Sequence, residues 1–335
     1  MNFEIVKILN AFNLPEKWDM LAIDYFQTKE FLIHTEKYNP CKQRYYILTH
    51  NGKLKTGAVV YTLKLDLFTY LPVSSRVNMK IAGVPCSVSS SGFVGSGEFS
   101  PKLIEHIKNN EKGMLLILNL DSNPLIENMV CGRTLPTVVI TNRFQSWESY
   151  VNSLKANYRR RVLQLSRSFS EITVKKVTCH QFDGQMYKQY LDVLKRSKGK
   201  LETLSLEFFQ NLPSNFNLTA YYYQQNPIGW YISAAFKEKY YFFLGGIDYK
   251  MNKQFNTYFN ILLGVLKEGI EKKASIIDLG QTAEIPKLRL GGKLIEKLLL
   301  GHHSNRLLRK FLKAGKGLLE YSANFDKAHV FKETI

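Results

Sequence analysis

The segment from Tyr240 to Gly292 places the strongest constraint on how this chain can fold. It opens with Tyr240 to Leu244, an unbroken aromatic and aliphatic run that predicts a strand covered on both faces. A polar loop follows, and then apolar residues recur every three or four positions, which predicts a helix. These positions are Phe259, Leu262, Leu266 and Ile270. Ser275 to Leu279 predicts a second strand, so the segment indicates a βαβ unit.

Polar side chains crowd the carboxyl ends of both predicted strands, which is where ligands collect in α/β sheets. They are Asp248, Tyr249, Lys253 and Asn256 after the first strand, and Gln281, Thr282, Glu284, Lys287 and Arg289 after the second. Asp248, Glu284 and Lys287 combine acid, base and cation, and are therefore the catalytic candidates. The competing interpretation is structural: Asp248 fixes a turn, while Glu284 and Lys287 form a surface ion pair.

Length and charge narrow the class of protein. A chain of 335 residues fits two domains, and a hydrophobic content of 45% argues against disorder. The formal net charge of +18 favours an anionic partner: nucleic acid, a phosphate-rich cofactor or an acidic membrane surface. The alternative is that the excess charge serves solubility.

The spacing of the cysteines and the hydropathy of the chain indicate a cellular compartment. The four cysteines lie far apart and form no Cys-x-x-Cys pair, so neither a zinc site nor a disulfide framework is indicated. A reducing compartment fits this spacing. No segment approaches the roughly 18 apolar residues of a membrane span. We therefore expect a cytoplasmic protein without a metal, for which peripheral contact with the inner membrane face stays open.

The N-terminal half repeats the order of elements found in the C-terminal half. Asn51-Gly52 between two β-rich runs is a strong hairpin signal. Gly92-x-x-Gly95-x-Gly97 then lies between a predicted strand and helix, where Gly95 and Gly97 would form a phosphate-binding loop or only a mobile turn. We predict an α/β fold with two tandem domains at 1–145 and 146–292, followed by a basic helical tail, 293–335, packed on the second domain.

The segment between the two halves is the most periodic in the chain. Apolar residues step by three and four from Trp147 to Phe169 and predict one helix of about 24 residues. Lys155 and Arg159 lie on this helix and are candidates for binding phosphates. Arg160 and Arg161 directly follow Arg159. The competing interpretation is a solvated face. Adjacent arginines point in different directions, so all of them are not expected to serve one ligand.

These motifs resemble a known family. Phe243-Leu244-Gly245-Gly246 with Asp248, the helix, Asp278-Leu279-Gly280-Gln281-Thr282 and Lys287-Leu288-Arg289-Leu290-Gly291 are similar to the GNAT acyltransferase superfamily. The similarity is greatest to its tandem branch, which includes Fem-like peptidoglycan-bridge aminoacyltransferases and acyltransferases of the cellulose-biosynthesis type. The residues 154–161 also resemble the helix that opens the second half in that branch.

The resemblance implies two acyl-CoA N-acyltransferase-like domains with mixed central sheets, and an enzyme that forms an amide. The donor would be acyl-CoA or aminoacyl-tRNA, and the acceptor an amine. GNAT enzymes using CoA carry a glycine loop before the central helix, whereas residues 251–256 contain no glycine. The rival from another class is a non-catalytic nucleic-acid-binding protein on a degenerate transferase fold.

Overall fold

The computed structural model describes residues 2–66, 76–86, 88–167, 169–197, 202–322, 325 and 328–332. The chain forms two compact units. Unit 1 comprises Met1–Leu135, Lys198–Phe208 and Glu296–Ala323, and unit 2 comprises Pro136–Ser197, Phe209–Ile295 and Asn324–Ile335. The chain therefore leaves unit 1 about ten residues before the predicted boundary at 145, and it returns to this unit twice.

Strands and helices alternate along the chain. The strands are β1 (Phe3–Ile8), β2 (Arg44–His50), β3 (Lys53–Asp66), β4 (Arg76–Ala82), β5 (Phe93–Gly95), β6 (Met114–Leu120), β7 (Val130–Thr141), β8 (Thr173–Val177), β9 (Phe216–Tyr223), β10 (Asn226–Phe236), β11 (Lys239–Ile247), β12 (Ile276–Gln281) and β13 (Lys293–His303). The helices are α1 (Trp18–Leu21), α2 (Lys29–Tyr38), α3 (Ser100–Asn110), α4 (Trp147–Ser153), α5 (Ala156–Arg167), α6 (Gly184–Arg196), α7 (Leu206–Gln210), α8 (Tyr249–Phe255), α9 (Thr257–Glu271), α10 (Glu284–Leu288), α11 (Arg306–Ala314) and α12 (Lys316–Leu319).

Unit 1 contains a mixed sheet in the order β1-β2-β3-β4-β6-β13, with β5 added on β3. The hairpin signal is confirmed, because Asn51 and Gly52 have φ of 50° and 70° between β2 and β3. Strands β4 and β6 are parallel, and α3 lies between them in sequence. Leu103, Ile104 and Ile107 of α3 are fully buried in the core of this unit.

Unit 2 contains a mixed sheet in the order β7-β12-β11-β10-β9-β8. Strands β8 to β11 are joined antiparallel, whereas β11 and β12 are parallel and are connected through α8 and α9. The predicted βαβ unit is thus confirmed, and so is the tandem α/β organisation, since each unit contains a hairpin, a strand, a crossover helix and a parallel strand. Helix α9 is covered along most of its length, as the aliphatic periodicity predicted.

The predicted helical tail is wrong over its first part. Residues Lys293–His303 form strand β13, and its residues from Leu298 onward pair antiparallel with β6. Glu296–Ala323 accordingly belongs to unit 1 and not to the second domain. The lysines suggested a helix, but an apolar run of three leucines ending in glycine fits a ladder with a distant strand, and propensity does not detect such long-range pairing.

The predicted single helix from Trp147 to Phe169 is also wrong, because it breaks between α4 and α5. Leu154 takes an extended conformation with ψ of 144° and forms a β-bridge with Phe331. The backbone N–H of Lys155 donates to the carbonyl of Val330 at 2.9 Å. A chain segment distant in sequence thus takes the hydrogen bonds that a continuous helix would use.

None of the helices in the described parts of the chain combines the length and the apolar character that crossing a bilayer requires.

The burial of α9 gives a prediction about stability. Leu266→Ala removes a side chain with no solvent exposure and should lower the free energy of unfolding by about 2–5 kcal/mol, because it leaves a cavity. Leu191→Ala in α6 is the matched control, since Leu191 is 38% exposed and surface changes usually stay within about 0.5 kcal/mol. Urea denaturation measures both, and similar losses in the two variants would contradict the assigned burial.

Candidate active site

The candidate site lies where the pairing of the two parallel strands of unit 2 ends. Among the described residues, β11 and β12 pair at Lys239 with Ile276, at Tyr240 with Ile277 and at Tyr241 with Asp278. Beyond that point β11 continues against β10, and β12 continues to a pairing of Gln281 with Thr137 in β7. Each strand keeps its other neighbour after this last shared pair. On the β12 side, the N–H of Gly280 donates to Asp278 Oδ1, and the carbonyls of Gly280 and Gln281 accept from Lys287.

The loop after β12 has an unusual backbone. Gly280 has a φ of 73°, and Thr282 and Ala283 follow with φ of 62° and 49°. Two successive non-glycine residues in the left-handed region are strained, and such strain persists only where surrounding structure enforces it. The loop then enters α10, which carries Glu284 and Lys287.

Lys287 is the residue that holds this loop in its strained conformation. Its side chain is buried, and Nζ donates to the carbonyl oxygens of Gly280 at 3.0 Å and Gln281 at 2.8 Å. Burial lowers the pKa of Lys287 to about 7, against the raising influence of the carboxylates of Asp278 and Glu284. This amine therefore changes charge near neutral pH, which a solvated lysine does not.

The carboxylate of Glu284 acts on both this lysine and the phenol of Tyr258. Glu284 is buried at the start of α10. Tyr258 lies in the first turn of α9, and burial followed by the charge of Glu284 raises its pKa. The sequence did not identify Tyr258 as a candidate, because it is one of 19 tyrosines in the chain. The available signal was its position in the first turn of the central helix, next to a polar loop.

Asp248 has a structural partner. It is the N-cap of α8, and its Oδ1 accepts from the backbone N–H groups of Lys250 at 2.8 Å and Met251 at 3.3 Å. These bonds satisfy donors that a helix start leaves unpaired. The geometry favours the turn-fixing interpretation of Asp248 and leaves Glu284 as the better-placed carboxylate.

The other residues predicted around the strand ends fall into two groups. Tyr249 begins α8, and the guanidinium carbon of Arg196 lies 3.7 Å from the centre of its ring. Lys253 and Asn256 are exposed, and Asn256 separates α8 from α9 with a φ of 50°. Of the remaining three, Gln281 and Thr282 lie between β12 and α10, and Arg289 directly follows α10.

A strongly basic cavity of about 320 Å³ opens beside this region. Its lining residues are Asn157, Tyr158, Arg160, Arg161, Gln164 and Arg289. The guanidinium of Arg161 lies 5.5 Å from the ring centre of Phe259, in the first turns of α9. The cavity therefore adjoins the N-terminal end of a long helix, where the macrodipole adds positive potential.

The cationic residues that line this cavity differ from those predicted to bind phosphates. Lys155 and Arg159 were predicted to grip phosphates, but the lining consists of Arg160 and Arg161 together with Arg289 from another element. The expectation that the adjacent arginines would not all serve one ligand agrees with this lining, which includes Arg160 and Arg161 but not Arg159. Residues 157, 160, 161 and 164 recur at helical spacing and form one polar face, which is the signal that would have identified it.

The glycine loop of unit 1 has its own structural explanation. Gly95 has a φ of 86°, and a Cβ there would lie 2.4 Å from the carbonyl oxygen of Lys55. The backbone N–H groups of Ser96, Glu98, Phe99 and Ser100 donate to protein acceptors at 3.0–3.3 Å. Gly97 has open space around it. Because most N–H groups of the loop are used internally, the geometry does not favour a phosphate cradle.

Within the described residues, no group of three or more His, Cys, Asp and Glu side chains could hold a metal ion.

The buried amine gives a prediction about pH. The pKa of Lys287 is lowered on folding, so between about pH 7 and 10 the unfolded chain binds the extra proton. The free energy of unfolding of the wild type should therefore rise relative to Lys287→Met over this range, by up to about 1.4 kcal/mol per pH unit. Urea denaturation of both proteins at pH 6, 7, 8 and 9 measures this, and a difference that stays constant above pH 7 would show an ordinary lysine.

Comparison with known proteins adds evidence about the fold. No protein-family model and no curated protein sequence matches this chain. Among solved structures, FemX is similar with a TM-score of 0.54 and 11% identity, over 84% of this chain and 92% of that chain. L-PGS from Bacillus licheniformis has a TM-score of 0.52 and 10% identity, over 91% and 96%.

A third structure bears directly on the repeated order of elements. The tandem GNAT protein from the clavulanic acid biosynthesis pathway, solved without AcCoA, has a TM-score of 0.51 and 7% identity. The match covers 91% of this chain and 99% of that chain. These similarities span both units and agree with the repeated order of elements found in each. The chain therefore has a tandem GNAT fold of the Fem-like type.

Proposed function

We propose that this protein is an N-acyltransferase that forms an amide, with its active centre in unit 2. The observation that carries the proposal is the end of the β11–β12 pairing directly before a loop held by the buried Lys287. The edge of β11 beyond Tyr241 would offer an acyl chain backbone donors and acceptors. Helix α10 carries the carboxylate of Glu284 and the amine of Lys287, and the charge of Glu284 acts on the phenol of Tyr258 in α9, which supports a reactive centre here.

The proposed reaction needs few groups. The nitrogen of an amine attacks the carbonyl carbon of an acyl thioester, and a C–N bond forms while the carbonyl oxygen becomes an oxyanion. The tetrahedral intermediate then collapses, the C–S bond breaks and the thiolate leaves. The amine loses one proton to a base, and that proton is available to the leaving group. Positioning and stabilisation of the oxyanion supply most of the acceleration.

Each group near α10 has a proposed role in this reaction. Glu284 is the base or the residue that orients the amine, since Asp248 is already used as a helix cap. Lys287 fixes the loop through two of its donors, and an ammonium has a third that would reach the oxyanion or a substrate carboxylate. Gln281 and Thr282 would add hydrogen bonds. Tyr258 joins this set because its hydroxyl is influenced by Glu284.

The donor proposed is an acyl-CoA, with its phosphates bound in the basic cavity. Arg160, Arg161 and Arg289 bring three guanidinium groups to one space of about 320 Å³, a compact arrangement that suits the clustered phosphates of one small molecule. Arg289 follows Lys287 by two residues, so the phosphate site and the proposed catalytic loop are close in space.

A specific observation favours aminoacyl-tRNA as the alternative donor. Helix α8 occupies the place of the glycine loop before the central helix, so backbone N–H groups do not form a compact pyrophosphate cradle there. The phosphate contacts would come from side chains of α5 and of the segment after α10, an arrangement that also suits an extended polynucleotide. In that reaction the bond that breaks is the ester C–O bond at the end of the tRNA.

Removal of the buried amine tests the catalytic proposal. Lys287→Met keeps the aliphatic volume but removes an oxyanion partner, and we expect amide formation to slow about 100- to 1000-fold. Lys250→Met, at an exposed position of α8, is the control and should retain the wild-type rate. Circular dichroism establishes that both variants are folded. Wild-type turnover in folded Lys287→Met would contradict the assigned role.

Neutralisation of the cavity tests the donor. Arg160→Gln/Arg161→Gln should weaken binding of an acyl-CoA, whereas Lys272→Gln/Lys273→Gln removes the same charge from exposed positions and should not. For charged tRNA, the log–log slope of affinity against salt should flatten by about 1.4–1.8 in the arginine variant, since each contact contributes roughly 0.7–0.9. Binding of generic RNA, with no turnover of a thioester or a charged tRNA, would overturn the transferase proposal.

A further inference from the structure

Helix α11 of unit 1 presents apolar side chains to solvent. Leu307, Leu308 and Phe311 are 66%, 47% and 72% exposed, and no residue of this helix is buried. Single exposed apolar residues are ordinary, but three on one short helix form a patch. At 100° per residue these three positions fall within about 100° of arc. The patch is therefore one continuous face.

The basic residues of α11 occupy a separate arc. Arg306, Arg309, Lys310 and Lys313 also fall within about 100° of one another, centred nearly opposite the apolar face. No acidic residue occurs from Arg306 through Leu319, and Lys316 extends the basic run. Apolar and basic residues are thus segregated on two faces of a helix that carries no compensating negative charge.

The helix is attached to unit 1 along the border of its apolar face. Leu312 is half-buried and packs against a cluster formed by Cys41, Tyr61, Met79, Ile81 and Met114. The contact holds α11 on the unit and leaves Leu307, Leu308 and Phe311 outward. The exposed face is consequently part of a fixed surface.

We propose that α11 lies in the interface of a bilayer containing anionic phospholipids. An interfacial helix buries an apolar face about 5–10 Å into the headgroup and acyl boundary, while Lys and Arg extend along their stems to lipid phosphates. Both faces of α11 are used in this arrangement. A polynucleotide would engage the basic arc and leave the leucines and Phe311 in water. A protein partner would have to be strongly acidic and apolar at once.

Vesicle binding by the full-length protein tests this proposal. Sedimentation with vesicles of 30% phosphatidylglycerol in phosphatidylcholine should capture the protein, and vesicles of phosphatidylcholine alone should capture much less. Arg309→Gln/Lys310→Gln should weaken binding about 25-fold, because each basic residue at an anionic surface contributes roughly five-fold. Leu307→Ser/Phe311→Ser should also lose binding, since insertion of the apolar face is removed. Leu307 and Phe311 are exposed, so their replacement removes no core packing, and circular dichroism checks that the variants are folded.

The control separates this helix from the general positive charge of +18. Lys272→Gln/Lys273→Gln lowers the net charge equally at exposed positions of unit 2 and should bind vesicles as the wild type does. Equal loss in both charge variants, or wild-type binding by Leu307→Ser/Phe311→Ser, would overturn the proposal. So would a dimer in analytical ultracentrifugation that Leu307→Ser/Phe311→Ser dissociates, because the face would then be an interface between copies of the chain.

Discussion

The parallel pairing of β11 with β12 is the constraint on which unit 2 depends. Parallel strands cannot be joined by a tight turn, so the chain must cross over through a helix that packs on the sheet. Helix α9 makes that crossing, and its aliphatic residues are buried because they cover the strands it connects. The same pairing ends after Asp278, and each strand continues beyond it against its other neighbour. The register of the β11–β12 pair thus determines which strands α9 covers and also where the pairing ends.

A buried lysine holds the loop that follows this pairing. The backbone from Gly280 to Ala283 is held with positive φ, and Lys287 fixes it through the carbonyls of Gly280 and Gln281. Removing an ammonium from water is unfavourable, whereas Asp278 and Glu284 favour the charged form. The balance leaves the pKa close to neutrality. A lysine kept only for stability does not need this environment, which is one reason to place it in the proposed reaction.

Local signals in the sequence predicted local structure well. The Asn51-Gly52 turn and the spacing of Leu262 and Leu266 depend on neighbouring residues, and the structure has both features. Strand β13 and the break at Leu154 depend on β6 and on Val330, which are far away in sequence. The residues of the candidate site show the same difference between local and long-range signals. Residues directly after β12 were found, whereas the cavity was missed because Arg289 joins Arg160 and Arg161 only through the fold.

Residues 251–256, which precede α9, contain no glycine, and this has a consequence for recognition of the proposed donor. A glycine loop binds phosphate through backbone N–H groups, which are rigid and carry no net charge. Guanidinium groups bind phosphate as full charges with paired donors, so their contribution depends more strongly on salt and on the spacing of the phosphates. In the proposed reaction, the identity of the donor is therefore set by the positions of Arg160, Arg161 and Arg289. In the same proposal the acyl group would lie along the edge of β11 where its pairing with β12 ends, so different residues of unit 2 would recognise the two ends of the donor.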